Sequence, residues 1–115
     1  MERAELPPQA THEVDVLSGA VRVALAGEFD LATEADLAGW LRQAILDHPG
    51  LDLEVDLHQV GFIDSSGIRG LLIAHRFAGE HGRAFRLTGA RGTVREVLEI
   101  VDVYDMLTGQ QPTSS

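Results

Sequence analysis

Residues 51–57, LDLEVDL, alternate strictly between apolar and acidic side chains. Because successive side chains of a β-strand point to opposite faces of a sheet, the pattern predicts a strand with one apolar and one acidic face. A strand that is covered on both faces usually reads as a continuous apolar run instead. Residues 21–25 and 85–87 repeat the one-sided pattern. We therefore predict a sheet that carries its helices mainly on one face and leaves the other face in water.

The remaining periodicity predicts the other elements of one small α/β domain. In chain order these are a hairpin at 13–26, a helix at 33–47, the strand at 51–57, a helix from about 66 to 80, a strand at 84–88 and a helix from 93 to about 101. We expect the first helix to begin at a capping box formed by Thr33 and Asp36. Because a strand–helix–strand unit implies parallel strands and a hairpin implies antiparallel ones, the prediction is a single domain with a four-stranded mixed sheet.

The two ends of the chain carry no such periodicity. Residues 1–11, which include Pro7 and Pro8, are predicted to be a flexible N-terminal arm, and residues 109–115 a flexible C-terminal tail. The domain is therefore predicted to span residues 12–108.

The composition excludes several classes of function. The 18 acidic residues face nine arginines, with no lysine and no cysteine, and the net charge is −9. A phosphate backbone would be repelled, so we expect no direct nucleic-acid partner and favour a basic partner surface. There can be no P-loop lysine, Schiff base or thiolate site, and the histidines lack metal-ligand spacing. No apolar run approaches the ~18 residues of a membrane span. We expect no cofactor, no membrane insertion and no enzymatic activity.

A predicted strand ends and the next predicted helix begins at Asp64, Ser65, Ser66 and Gly67. A helix N-terminus presents unpaired N–H groups and a partial positive charge, which suits an anion such as phosphate. Two interpretations are open. One of these side chains is an ordinary helix cap, or Ser65 is a reversible phosphorylation site. In the second case a charge of about −1.5 to −2 would accept helix N–H groups and, beside Asp64, repel a partner that fits the unmodified protein.

Phe62 and Ile63 precede this join, at a position where we predict a loop. The two side chains could meet a partner or could enter the core, and apolar residues favour neither interpretation over the other. Gly61 and Gly67 flank the join and keep side-chain bulk away from it. The surface around Ser65 is therefore a candidate docking face.

Three stretches carry a resemblance to a known family. Residues 27–30, GEFD, are similar to a Gly-Glu-Leu-Asp motif that follows the family's second strand, with Phe29 in place of the leucine. Residues 55–67 are similar to its central signature, and residues 93–98, TVREVL, to its last helix. On these residues the chain resembles, over residues 12–108, a STAS domain of the anti-sigma factor antagonist type.

The resemblance implies a partner-switching cycle in the cytoplasm of a bacterium. The unphosphorylated antagonist binds an anti-sigma factor that is also a serine kinase, and a sigma factor is released. The kinase then phosphorylates the serine that matches Ser65, which weakens the complex, and a PP2C-type phosphatase restores it. The residues expected on the docking face are Asp30, Phe62, Ile63, Asp64, Ser66, Gly67 and Arg69.

Two of these residues also have simpler explanations. Asp30 matches an acid near the family's serine, and it would serve equally well as a turn or helix-start residue. Arg69 stands where small residues are frequent in the family. It could contact a partner or a phosphate, or it could be a solvated helix arginine.

Two other classes of function compete with this one. A STAS domain can also be a scaffold subunit of a stressosome or a regulatory subunit of an anion or lipid transport complex. A further alternative is a protein that binds or hydrolyses a nucleotide. The sequence opposes it, because it has no glycine-rich phosphate loop and no lysine. The oligomeric state stays open.

Overall fold

A computed structural model of the chain describes residues 9–100 and 103–108. The strands are β1 (Ala10–Leu17), β2 (Ala20–Phe29), β3 (Asp52–Ile63) and β4 (Phe85–Thr88). The helices are α1 (Glu34–Asp47), α2 (Ser65–Glu80), α3 (Gly92–Ile100) and α4 (Tyr104–Thr108), and a 3₁₀ turn at Leu31–Thr33 precedes α1. None of the helices in these two ranges has the length and apolar composition of a membrane span.

The four strands form one mixed sheet in the order β1-β2-β3-β4. β1 and β2 form an antiparallel hairpin, β3 runs parallel to β2, and β4 runs parallel to β3. α1 joins β2 to β3 and α2 joins β3 to β4, so each parallel pair is connected by a helix. The predicted fold class, a single α/β domain with a four-stranded mixed sheet, is confirmed.

One face of the sheet is buried and the other is only partly covered. The buried side chains are Val21, Val23 and Leu25 in β2, Leu53, Val55 and Leu57 in β3, and Phe85 and Leu87 in β4. On the opposite face Glu54 pairs with Arg22 at 3.4 Å and accepts a hydrogen bond from the Thr88 hydroxyl. The alternation predicted from the sequence therefore describes the central strands correctly.

β1 begins earlier than the sequence predicts. It starts at Ala10, inside the segment predicted as a flexible arm, because residues 10 and 11 pair with Gly27 and Ala26. Residues 1–8 and 109–115 lie outside the described residues, so the arm and the tail stay predictions there.

β3 runs on to Ile63 instead of ending at Leu57. Its register with β2 shifts between Ala24 and Ala26 and again between Gly27 and Glu28. Each irregularity disturbs the ladder and interrupts the period of two, so the alternation rule misses residues 58–63. The prediction of a loop at residues 62 and 63 is wrong, because both residues belong to β3.

The predicted capping box of Thr33 and Asp36 is wrong as well. Thr33 makes no side-chain cap to α1. The box lies one turn earlier: Ala32 N–H donates to Asp30 Oδ1 at 2.9 Å, and Asp30 N–H donates to Thr33 Oγ1 at 3.0 Å. The 3₁₀ turn between β2 and α1 displaces the cap. A turn of three residues is too short to show an apolar repeat in the sequence.

Arg83 ties the end of α1 to the entry of β4. Its guanidinium donates to the backbone carbonyl oxygens of Ile45 (3.2 Å), His48 (3.0 Å) and Leu51 (2.8 Å). The last carbonyls of a helix lack intrahelical partners and carry partial negative charge, so a cation suits this position. One side chain therefore holds the α1–β3 connection against the next strand.

We expect Arg83→Met to lower the free energy of unfolding by about 2 kcal/mol, since it leaves half-buried carbonyls without their charged donor. Urea denaturation measures the loss. Arg76→Met, at an exposed position of α2, is the control and should change stability by less than about 0.5 kcal/mol. Equal losses in the two variants would contradict the role given to Arg83.

Candidate functional site

The candidate site lies where β2 and β3 end side by side. Phe29 and Ile63, the last residues of these parallel strands, are register partners. An aspartate follows each of them, and the N–H of Asp64 donates to the carbonyl of Phe29 at 3.2 Å. Asp30 caps the 3₁₀ turn before α1 and Asp64 caps α2. Two helical segments therefore begin at the same edge of the sheet.

Asp64 satisfies most of the first turn of α2. Its Oδ1 accepts from Ser66 N–H at 2.9 Å and from Gly67 N–H at 3.2 Å. Its backbone carbonyl accepts from Ile68 N–H at 2.9 Å. Of the first four N–H groups of the helix, only that of Ser65 is not bonded to Asp64. A carboxylate of the chain therefore already occupies the N–H groups of Ser66 and Gly67, and the Ser65 N–H is the one left for a phosphate at this helix start.

Ser65 is the first residue of α2 and is exposed, whereas Ser66 is half-buried. The residues that the structure describes form no hydrogen bond with the Ser65 hydroxyl. The helix cap is therefore made by Asp64, and the side chain of Ser65 takes no part in it.

Phe62 and Ile63 have different environments in the structure. Phe62 is 47% exposed, whereas Ile63 is 3% exposed and belongs to the core. Successive strand residues face opposite sides of a sheet, so one enters the core and the other does not. The expectation that Ile63 lies on the docking face is therefore wrong, and Phe62 is available for contact.

Gly67 is also a packing residue and lies below the surface. It is buried, and a Cβ built on it would come within 2.6 Å of Ile63 Cγ1 and 2.7 Å of the Phe29 carbonyl oxygen. The expectation that Gly67 contacts a partner is wrong. The glycine is needed because α2 starts so close to the ends of β2 and β3.

Asp30 and Arg69 both have partners within the domain. Asp30 is half-buried and acts as the cap described above. Arg69 is exposed, and its Nε lies 3.9 Å from Glu34 Oε2 of α1. The Arg69 side chain is 68% exposed and the Glu34 side chain 19% exposed. At this distance, and with one partner in water, the pair is worth little, so Arg69 can leave Glu34 for another anion at small cost.

Sequence reasoning missed two exposed apolar residues near the site. Leu31 is 74% exposed in the 3₁₀ turn directly after Asp30, and Ile73 is 41% exposed on α2. Ser65, Arg69 and Ile73 follow each other at intervals of four on one helix face, which the periodicity of α2 could have shown. We call Leu31, Ser65, Arg69 and Ile73, which lie on α2 and on the 3₁₀ turn before α1, the Ser65 face.

The fold and the site define a small α/β domain that exposes a serine beside the cap of its central helix. The family described as "Mlab, STAS domain" matches residues 12–108. The chain therefore belongs to the STAS domain family, and the resemblance predicted from its motifs is confirmed. No curated protein matches the chain with significance.

Solved structures share the fold. An anti-sigma factor antagonist from Mycobacterium paratuberculosis is 25% identical, with a TM-score of 0.77 over 96% of this chain and 92% of its own. The anti-sigma factor antagonist SpoIIAA in its unphosphorylated form is 18% identical, with a TM-score of 0.71 over 90% of each chain. The Bacillus cell fate determinant SpoIIAA in its phosphorylated form is 17% identical, with a TM-score of 0.63 over 90% of this chain and 93% of its own. The two SpoIIAA structures establish likeness of fold alone.

We expect Gly67→Ala to lower the free energy of unfolding by about 2 kcal/mol or more, because the added methyl group collides with strand backbone that cannot move away. Thermal or urea unfolding gives the value. Gly79→Ala introduces the same group in the same helix where nothing lies within 4 Å, and it should raise stability by up to about 1 kcal/mol. A loss in both variants, or in neither, would show that close packing is not the reason for Gly67.

Proposed function

We propose that this protein is an anti-sigma factor antagonist that is switched by phosphorylation of Ser65. The unphosphorylated form binds an anti-sigma factor with serine kinase activity through the Ser65 face and thereby frees a sigma factor. The single observation that carries the proposal is the separation of roles at the start of α2. Asp64 makes the cap, while Ser65 beside it is exposed and has no bond to the described residues. A kinase can therefore modify Ser65 without disturbing a contact that the fold uses.

The comparisons support the general role. The structure from Mycobacterium paratuberculosis is that of an anti-sigma factor antagonist. SpoIIAA, an anti-sigma factor antagonist of the same fold, exists in an unphosphorylated and a phosphorylated form. The fold therefore accommodates the modified state, as the proposed cycle requires.

The electrostatics of the site explain why the modification would end the complex. A phosphate adds about −1.5 to −2 charges next to Asp64, on a chain whose net charge is already −9. The helix dipole and the Ser65 N–H favour the phosphate, while Arg69 offers a cation one turn further on. The fold is therefore expected to tolerate the charge. A partner surface that fits the neutral serine has no group placed to pair with the added charge, and burying an unpaired charge in an interface is costly.

The remaining parts of the cycle follow from this switch. A PP2C-type phosphatase would remove the phosphate and return the protein to its binding form. Both enzymes and the anti-sigma factor would act on it in the bacterial cytoplasm, where a sigma factor is needed.

We expect Ser65→Ala to keep the anti-sigma partner and Ser65→Glu to weaken it by about tenfold or more, since the added carboxylate reproduces part of the phosphate charge. Calorimetric titration with the purified anti-sigma factor measures the change, and circular dichroism confirms the fold. Ser18→Glu, in the exposed β1–β2 turn, adds the same charge away from the site and should bind as the wild type does. Binding of Ser65→Glu with wild-type affinity would contradict the switch.

We expect incubation with the cognate kinase and ATP to add one phosphate, and peptide mass mapping should place it on Ser65 because that serine is exposed. Ser65→Ala should remain unmodified, and Ser66→Ala should be modified as the wild type is. A phosphate on Ser66, or one that persists in Ser65→Ala, would assign the switch to another residue.

A second candidate is a STAS subunit of a stressosome or of an anion or lipid transport complex. The observation that favours it is the family description, which names Mlab rather than a sigma-factor regulator. Genes for a kinase-like anti-sigma factor beside this one would favour the first proposal, and transporter genes the second.

A further inference from the structure

The outer edge of β1 is a second exposed surface, separate from the Ser65 face. β1 is the first strand of the sheet, and in the described part of the chain no strand pairs with its outer side. β2 lies between β1 and β3, the strand that leads to Ser65. An unpaired strand edge is a template for the addition of another strand.

The register shows which backbone groups of β1 are free to pair. The N–H of Glu28 donates to the carbonyl of Gln9 at 3.0 Å, and the β1–β2 register continues unbroken from Ala10 to Leu17. In an antiparallel pair, every second residue directs both its N–H and its C=O to the partner strand, and the residues between them direct theirs to the other side. The odd-numbered residues of β1 therefore bond to β2, and the backbone groups of His12, Val14 and Val16 point outward.

The side chains of the same residues are apolar and uncovered. Val14 and Val16 stand opposite Val23 and Val21 and so lie on the buried face of the sheet, yet they are 41% and 60% exposed. The helix layer reaches β1 at His12, whose ring stacks on Trp40 at 4.2 Å. Beyond that stack the edge offers two valines to an incoming strand.

The other face of β1 is acidic, and it decides which strand fits. Glu13 and Asp15 alternate with the valines and are exposed. A second copy of this chain that paired antiparallel about Val14 would set Glu13 against Asp15 twice. Pairing about Glu13 or about Asp15 would set that acid against itself. Like charges directly opposite each other destabilise a strand pair, so these registers are all opposed.

We propose that the β1 edge binds an extended segment of a partner protein as a fifth, antiparallel strand, and that this segment alternates basic with β-branched apolar residues. Its basic side chains lie opposite Glu13 and Asp15, and its apolar side chains lie opposite His12, Val14 and Val16. Backbone hydrogen bonds supply affinity and the alternating side chains supply selectivity. The acids thus oppose these pairings with a second copy and favour a basic strand.

The test uses the full chain and a nine-residue peptide of alternating valine and arginine, acetylated and amidated. We expect the peptide to slow amide exchange at His12, Val14 and Val16. A peptide with glutamate in place of arginine should bind at least about tenfold more weakly, because two attractive charge pairs become repulsive. The double variant Glu13→Gln, Asp15→Asn should lose this preference for arginine.

Val14→Pro and Val14→Ala form the matched pair of variants. Proline removes the outward N–H of Val14 but no bond to β2, which a sheet edge tolerates, and alanine keeps the N–H. We expect proline alone to abolish the exchange protection, with circular dichroism unchanged in both. Equal binding by the two variants, protection confined to other parts of the chain, or self-association of the wild type through β1 in sedimentation would each overturn the proposal.

Discussion

The close approach of α2 to the ends of β2 and β3 is the constraint on which the site depends. Gly67 sits against Ile63 and the Phe29 carbonyl, and the Asp64 N–H binds that same carbonyl. These contacts leave no room for a side chain at Gly67 and hold Asp64 where its carboxylate reaches the first turn of α2. Ser65 is then left on the outside, as the next residue after a well-held cap.

In the proposed cycle, this arrangement separates stability from regulation. The cap is worth about 1 kcal/mol to the helix, and Asp64 provides it whatever state Ser65 is in. A serine that capped the helix itself would lose that bond when modified, and the modification would then also act on folding. In the proposed cycle the added charge would act mainly on a partner that approaches the surface, which suits a reversible change of partner.

The sequence predicted the fold class and the helix start at the candidate site, but it missed where the elements around that site end and how they are capped. The alternation of residues 51–57 correctly located the central strand, and the Asp64–Gly67 stretch correctly marked a helix start. The extension of β3 to Ile63 was missed because two shifts in the β2–β3 register break the period of two. The cap at Asp30 was missed because a 3₁₀ turn has no apolar periodicity of its own.

The surface residues show a different limit. Both Phe62 and Ile63 are apolar, and their types alone could not assign one to the core and the other to the surface. Leu31 is exposed in the 3₁₀ turn that follows β2, and Val14 and Val16 are exposed because the core covers β1 only over its first residues, as far as His12. Whether such a residue is exposed depends on which helix packs over which strand. The local sequence pattern does not contain this information.

The sequence by itself determined the one-sided sheet, the helix start at residues 64–67 and the acidic character of the chain, because period, capping chemistry and charge are local properties. Only the tertiary structure decided that Gly67 and Ile63 are buried, that Asp64 rather than Ser65 makes the cap, and that the edge of β1 stays open. These depend on distances between segments far apart in the chain, which are set when the strands pair and the helices pack on them.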